Sequence, residues 1–493
     1  MGDILAQIVA AKEDDYHRLG PTFGTRVPTI RSRPLVQFLK HPGLVLEIKR
    51  ASPSKGDIAL NLDPVDLAHK YRDAHAKGIS ILTENRYFKG SLADLVRVGR
   101  NVHDVALLRK DFLTHEDEID VSFHCGADAV LLIARILTEE RLRLMAVRCR
   151  QLGMTPFVEI HNEEDGKKLK AVLHDGPAVA GVNSRNLRTF SIDPLLPAAM
   201  RDSLPCKAIY ESGADSSQAC VYARSLGYDG MLIGESVARN PERAQAYVDA
   251  FRDATPNRSG RFWKEVAKRR QLQRGPLVKV CGITNTMDAE AAASHGASLL
   301  GFIFAESPRR VDVSTVRSIV RTIRTVPSAP LMVGVVTELE SEDAHQAIRL
   351  AREGVLDALQ CHGQQAQLMI STLDKMFSDE GIGRYGAIGI DSEEDLAILK
   401  SLLQEGEPRV LCDTKLNGKS GGTGQMIQRE VLEKIEGYGN PWLAGGLGPD
   451  TIASLLDSHT PELIDVSSRL ESTPGKKDHA LLEQFFKEVH RGF

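Results

Sequence analysis

Short, unbroken apolar runs recur along the chain, separated by longer stretches whose apolar residues keep helical spacing. In the first half the runs are LVLEIK (44–49), GISILT (78–83), VALLRK (105–110), AVLLIA (129–134), TPFVEI (155–160), AVAGVN (178–183), KAIYES (207–212) and GMLIGE (230–235). Their starts lie 23 to 34 residues apart, the spacing of eight βα units. Unbroken runs, unlike alternating ones, suit parallel strands covered on both faces. Intervening segments such as TEERLRLMAVRCRQLG (138–153) end in glycine, as a helix C-terminus does.

The second half repeats the count. LVKVCG (277–282), LLGFIF (299–304), PLMVGVV (330–336), LDALQC (356–361), GAIGID (386–391), RVLCDT (409–414), WLAGGL (442–447) and LIDVSS (463–468) make eight more. Two sets of eight predict an α/β protein of two consecutive (β/α)₈ barrels, over 1–255 and 277–493, with a linker at 256–276. A pair of doubly wound open sheets is the rival architecture; the count of eight and the polar residues at strand ends favour barrels. The linker carries seven basic residues from Arg258 to Arg274 and one acid, Glu265. It reads either as a tether for a polyanion or as a solvated helix docking Phe262, Trp263 and Val266 on a barrel, and the second is preferred.

Length and charge narrow the picture further. The 493 residues, 42% hydrophobic, are ample for two cores, and a net charge of −4 gives no general affinity for nucleic acid. The seven cysteines are scattered, with no CxxC pair, so neither a disulfide framework nor a zinc ribbon is expected. Asp3 stands where a signal peptide carries positive charge, Ala6 where a myristoylation signal needs Ser or Thr, and no run is long enough to span a membrane. A cytoplasmic monomer without cofactor or metal is the expectation.

Polar residues at the C-terminal ends of barrel strands point into the active site. In the first half these are Glu47 and Lys49, on one side of their strand, then Lys110, Glu159, Asn183, and Glu211-Ser212-Gly213. Two lysines and three carboxylates at one mouth would be an expensive core but a serviceable set of acid, base and anion holders.

These residues carry a resemblance. LEIKRASPSKGDI (46–58), LTENRYFKGSLADL (82–95), LLRKDFL (107–113), VEIHNEED (158–165), GVNSRNLRTF (181–190), ESGADS (211–216) and LIGES (232–236) resemble the indole-3-glycerol-phosphate synthase family. VKVCGIT (278–284), GFIFAESPRRV (301–311), VGVVTE (333–338), LQCHG (359–363), LCDTK (411–415), GGTG (421–424), AGGLGPD (444–450) and DVSS (465–468) resemble the phosphoribosylanthranilate isomerase family. The whole chain thus resembles the fused bifunctional enzymes of tryptophan biosynthesis, whose small-molecule partners are phosphorylated anthranilate derivatives.

The resemblance implies roles. In the first half Lys110 is the general acid and Glu159 the base of the later dehydration. Glu47 and Asn183 orient the substrate, and Lys49 holds its carboxylate or supports the acid. Phe88, Phe112 and Leu131 form an apolar wall, Ser52, Ser212, Gly213 and Gly234 hold the phosphate, and Arg185 and Glu211 bind substrate. In the second half Asp413 is the acid that opens the sugar ring, Cys281 the base at C2, and Arg309 the anchor for the anthranilate carboxylate. Gly445, Gly446, Asp465, Ser467 and Ser468 line the phosphate end, and Lys415–Gly424 reads as a lid. Glu235 and Arg469 depart from the family patterns, which usually have smaller residues there. A histidine-pathway isomerase fits less well, because it has Asp where this chain has Cys281. A catalytically inert scaffold leaves the strand-end groups without a purpose.

Overall fold

A computed structural model of the chain describes residues 4–186, 189–213, 215–378, 380–416, 419–420 and 429–491. It divides into two units, Met1–Pro256 and Asn257–Phe493. In the first, strands β1 (Gly43–Ile48), β2 (Gly78–Leu82), β3 (Ala106–Lys110), β4 (Ala129–Ile133), β5 (Thr155–Ile160), β6 (Val179–Asn183), β7 (Ala208–Glu211) and β8 (Gly230–Ile233) form a closed parallel barrel. Closure comes from β1 pairing with both β8, at Gly43↔Gly230, and β2, at Glu47↔Ser80. The lower interior is apolar: Val45, Leu108, Leu131, Phe157 and Leu232 pack there with Phe38 and Leu39, all buried.

The second unit repeats the plan with β9 (Leu277–Cys281), β10 (Leu299–Ile303), β11 (Leu331–Val336), β12 (Ala358–His362), β13 (Gly383–Ile390), β14 (Val410–Leu416), β15 (Trp442–Ala444) and β16 (Leu463–Val466). The β13–β14 and β9–β16 pairings close its ring. Strand positions are buried nearly throughout both barrels, because helices cover one side and interior side chains the other. The rival open-sheet architecture is excluded by closure.

Many helices begin at a capping side chain just past a strand, which fixes how strand ends are presented. Asn162 follows β5 and accepts from Asp165 N at 2.8 Å, while the Asp165 carboxylate accepts from His161 N at 2.9 Å. Ser216, Asn285, Asp312 and Ser392 cap other helices in the same way.

The segment expected as a linker is a helix, Arg258–Leu272, and it belongs to the second unit. Phe262, Trp263 and Val266 are buried, with Phe262 stacked on Tyr385 at 6.1 Å and Trp263 beside Trp442 at 5.8 Å. Much of its basic charge is used within the unit. Arg258 donates to Ala351 O (2.9 Å) and Arg352 O, the C-terminus of the helix Glu342–Arg352, and Arg269 donates to Ala329 O (2.8 Å). Arg270 pairs with Glu462 at 2.8 Å. Among the described residues no helix is long and apolar enough to cross a membrane.

Candidate active sites at the two barrel mouths

At the mouth of the first barrel, one cation is shared between carboxylates. Lys110, the last residue of β3, places Nζ 3.2 Å from both Glu159 Oε2 and Glu211 Oε2. Asn183 Nδ2 donates to Glu159 Oε1 at 3.3 Å, and Ser212 Oγ donates to Asn183 Oδ1 at 2.9 Å. Glu47 accepts from Ser80 Oγ at 3.3 Å and faces Lys49 at 3.4 Å. Lys110, Glu159, Glu211 and Asn183, predicted from separate segments, are therefore one network, and the charge of Glu47 acts on Lys110 beside it. Gly181 makes room for it: a Cβ there would lie 2.2 Å from Glu211 Oε1.

The electrostatics separate the two carboxylates that share Lys110. Burial raises Glu211, and the nearby Glu159 and Glu47 charges add to this against the pull of Lys110. Glu159 also feels burial, yet the Lys110 and His161 charges and the Asn183 amide outweigh it and hold it below its ordinary value. Burial would lower Lys110, but Glu211, Glu159 and Glu47 overcome it and keep the ammonium charged. Two like groups pushed apart in this way are able to act as acid and base in the same site.

Phe88 and Phe112 rings lie 5.9 Å apart, Lys49 Nζ is 5.6 Å from the Phe88 ring, and Phe112 packs on the interior cluster that contains Leu131. Ser212 and Gly213 both have φ near +70°, so consecutive residues there hold the left-handed conformation. Gly234 lies above Glu47: a Cβ would be 2.7 Å from Glu47 Oε1. Ser52 is buried on the hairpin after β1, and Arg185 donates to Phe190 O at 3.1 Å while its own N–H bonds Asn183 Oδ1.

The second mouth is built differently, over a polar interior. Lys279, wholly buried, donates to Asp465 Oδ2 at 2.5 Å and Gln360 Oε1 at 2.7 Å, and Tyr385 donates to the same Gln360 oxygen at 2.9 Å. Cys281 follows two residues later, at the end of β9. Its thiol needs the space left by Gly301, where a Cβ would be 2.6 Å from Sγ. Burial raises the Cys281 thiol, and the Asp465 charge adds to this; Lys279 and Lys477 oppose it without reversing the shift. Asp413, on β14, is pushed up to about 7 by burial and by Asp465, so a substantial fraction carries a proton at neutral pH.

Arg309 reaches the same mouth: a Cβ on Gly282 would lie 2.7 Å from Arg309 Cδ and 3.2 Å from Ser467 Oγ. Glu471 grips its guanidinium through Nε (2.9 Å) and Nη2 (2.8 Å). Gly445 (φ +92°) and Gly446 (φ +61°) follow β15, and a Cβ at Gly445 would collide with Thr414 Oγ1. Ser467 Oγ donates to Cys281 O at 3.1 Å, and Ser468 opens the 3₁₀ turn Ser468–Leu470. Asp465 pairs with Lys279 through Oδ2, and its buried Oδ1 is left without a hydrogen bond. Arg469, whose bulk departs from the family pattern, turns to Asp450. Of the expected lid, residues 417, 418 and 421–424 lie outside the described residues. Among the described residues no group of His, Cys, Asp or Glu is placed to hold a metal ion.

Sequence reasoning missed Ser80, His161, Lys279, Gln360, Tyr385, Glu471 and Lys477. Lys279 was within reach, since strand alternation puts it on the same side as Cys281, as it puts Glu47 with Lys49. Glu471 and Lys477 follow the last strand in a segment with no local signal.

Fold and mouths together define a tandem (β/α)₈ protein with a cluster of buried titratable groups in each barrel. Residues 29–249 match the indole-3-glycerol phosphate synthase family, and residues 278–488 match the N-(5'phosphoribosyl)anthranilate (PRA) isomerase family. The chain is 33% identical over 452 residues to the tryptophan biosynthesis protein TrpCF of Yersinia pestis, covering 90% of this chain and 84% of that one. It is 31% identical over 482 residues to the multifunctional tryptophan biosynthesis protein of Schizosaccharomyces pombe, covering 91% of this chain but 59% of the longer relative. A phosphoribosyl anthranilate isomerase structure from Thermotoga maritima aligns with 44% of this chain and all of its own, at 29% identity and a TM-score of 0.38. The chain belongs to the tryptophan biosynthesis protein family that joins a synthase domain to an isomerase domain, in that order.

Proposed function

We propose that the second barrel isomerises N-(5-phosphoribosyl)anthranilate to 1-(2-carboxyphenylamino)-1-deoxyribulose 5-phosphate, and that the first barrel closes that product to indole-3-glycerol phosphate. The reading is carried by one observation: each mouth gathers, from separate strand ends, titratable groups whose surroundings drive them from their ordinary behaviour. In the isomerase step Asp413 gives its proton to the ring oxygen as the sugar opens. Cys281, as thiolate, then takes the proton from C2, and the resulting enol amine settles as the ketose. Asp413, at about 7, suits the acid role. Cys281 starts as a thiol, so the thiolate is a minority form held by Lys279 and Lys477.

In the synthase step Lys110 protonates the C2 carbonyl oxygen as the aromatic ring attacks that carbon. Carbon dioxide then leaves, and Glu159, ionised beside Lys110, serves as the base in loss of water. Ser52, Ser212, Gly213 and Gly234 hold the phosphate, and Phe88, Phe112 and Leu131 face the aromatic ring. Proton transfer by side chains suffices for both steps, and the protein acts as a cytoplasmic monomer on small phosphorylated substrates. The test supplies the purified chain with phosphoribosylanthranilate and follows indole-glycerol phosphate fluorescence. Product formation is expected. A chain that turns over neither this substrate nor the supplied aminoketose would overturn the reading.

A further inference from the structure

After β16 the chain makes a short antiparallel hairpin, Glu471–Thr473 against Lys476–Lys477. Two of its charged residues, Glu471 and Lys477, are turned inward, their side chains 3% and 0% exposed, while Lys476 is exposed. Glu471 accepts from Arg309 Nε and Nη2 and, at 2.8 Å, from Lys477 Nζ. Lys477 gives its other protons to Cys281 O (2.7 Å) and Ser467 O (3.2 Å), at the ends of the first and last strands of this barrel. Both oxygens of Glu471 and all three donors of Lys477 are thus engaged within one chain of contacts, Arg309–Glu471–Lys477–Cys281. Among the described residues Arg309 Nη1 has no partner.

We propose that Glu471 is a positioning residue for the isomerase reaction and sets its preference for a carboxylate. It clamps Arg309 by the Nε–Nη2 edge and leaves the Nη1 side to receive the carboxylate beside the aromatic amine. Because the oxygens of Glu471 are already taken, the clamp offers a ligand only donors. A carboxylate accepts two such bonds, whereas a carboxamide of the same shape brings its own N–H₂ and finds no acceptor. The inference rests on the reading of the second barrel as the isomerase with Arg309 as its anchor.

The test compares phosphoribosylanthranilate with its carboxamide analogue in the full-length parent and in Glu471→Gln, where the amide nitrogen meets donors and releases Arg309. KM for the carboxylate substrate is expected to rise about tenfold or more with kcat within about threefold, and the carboxylate-to-carboxamide ratio of kcat/KM to fall about tenfold. On an Arg309→Lys background the same change is expected to add less than about threefold, since Lys offers no edge to clamp. An unchanged selectivity ratio, or effects that multiply independently in the double variant, would overturn the proposal. So would equal losses of kcat and affinity in both Glu471→Gln and Glu471→Asp, which assign Glu471 to the fold alone. Failure of the parent to isomerise phosphoribosylanthranilate would instead sink the isomerase reading.

Discussion

At the scale of single residues, the two mouths make different demands on protons. Cys281→Ser keeps the shape of the site but replaces the thiol by a hydroxyl that is far harder to ionise. Isomerisation should fall by about 10²–10⁴-fold while supplied aminoketose is still converted; isomerisation within about threefold of the parent would remove Cys281 as base. The pH profile follows from the two groups together. On the proposed mechanism, activity needs Asp413 protonated and Cys281 ionised, and the carboxyl, at about 7, titrates below the raised thiol. The population of that reversed pairing is constant between the two values. Below about 7 the thiolate is lost with no gain in acid, so kcat/KM of the isomerase should fall about tenfold per pH unit there. On the alkaline side it should hold until the thiol itself titrates. A rate that climbs as pH drops from 8 to 6 would contradict these assignments. In the other barrel Lys110→Met removes the cation between Glu159 and Glu211. Ring closure should fall by orders of magnitude, with phosphate affinity weakened by about tenfold or less. Two buried carboxylates left without their cation cost about 3–5 kcal/mol, reduced as Glu211 takes up a proton. Denaturant unfolding of the variant should therefore show less destabilisation at acid pH than at alkaline pH.

At the scale of elements, the helix Arg258–Leu272 decides where the chain can be divided. It buries Trp263 and Phe262 against Trp442 and Tyr385 of the second barrel, and its arginines satisfy carbonyls there. Loss of a buried Trp alone costs about 3–5 kcal/mol. A second-barrel fragment beginning at Asn257 should thus be soluble and active, whereas one beginning at Leu277 should aggregate or melt well below it. Equal melting temperatures for the two fragments would show that the helix is dispensable.

At the scale of the molecule, each barrel closes its own ring and satisfies its own strand edges, and on the proposed function each carries its own acid and base. A mixture of the Cys281→Ser and Lys110→Met chains should therefore convert phosphoribosylanthranilate to indole-glycerol phosphate, through aminoketose released into solvent. At saturating protein the rate should come within about threefold of the parent. No product from the mixture, with each chain active in its intact half, would show that the intermediate does not leave the chain that makes it.

Periodicity and strand-end chemistry belong to the sequence itself. Sixteen buried strands and their helices follow from runs of apolar residues, because a parallel strand covered on both faces leaves an unbroken apolar signature. Lys110, Glu159 and Asn183 stood out because strand ends are where the chain changes from apolar to polar, whereas Cys281 and Asp413 were picked out through the family resemblance. Contacts between segments distant along the chain were not legible. The sharing of one ammonium by Glu159 and Glu211 arises only when β3, β5 and β7 face a common interior. The commitment of Asp465 to Lys279 depends on the pairing of β9 with β16 across 186 residues. The grip of Glu471 on Arg309 spans 162 residues. Local sequence fixes which side of a strand a residue takes, but ring closure decides which charges meet, and burial then sets how strongly each acts on the next.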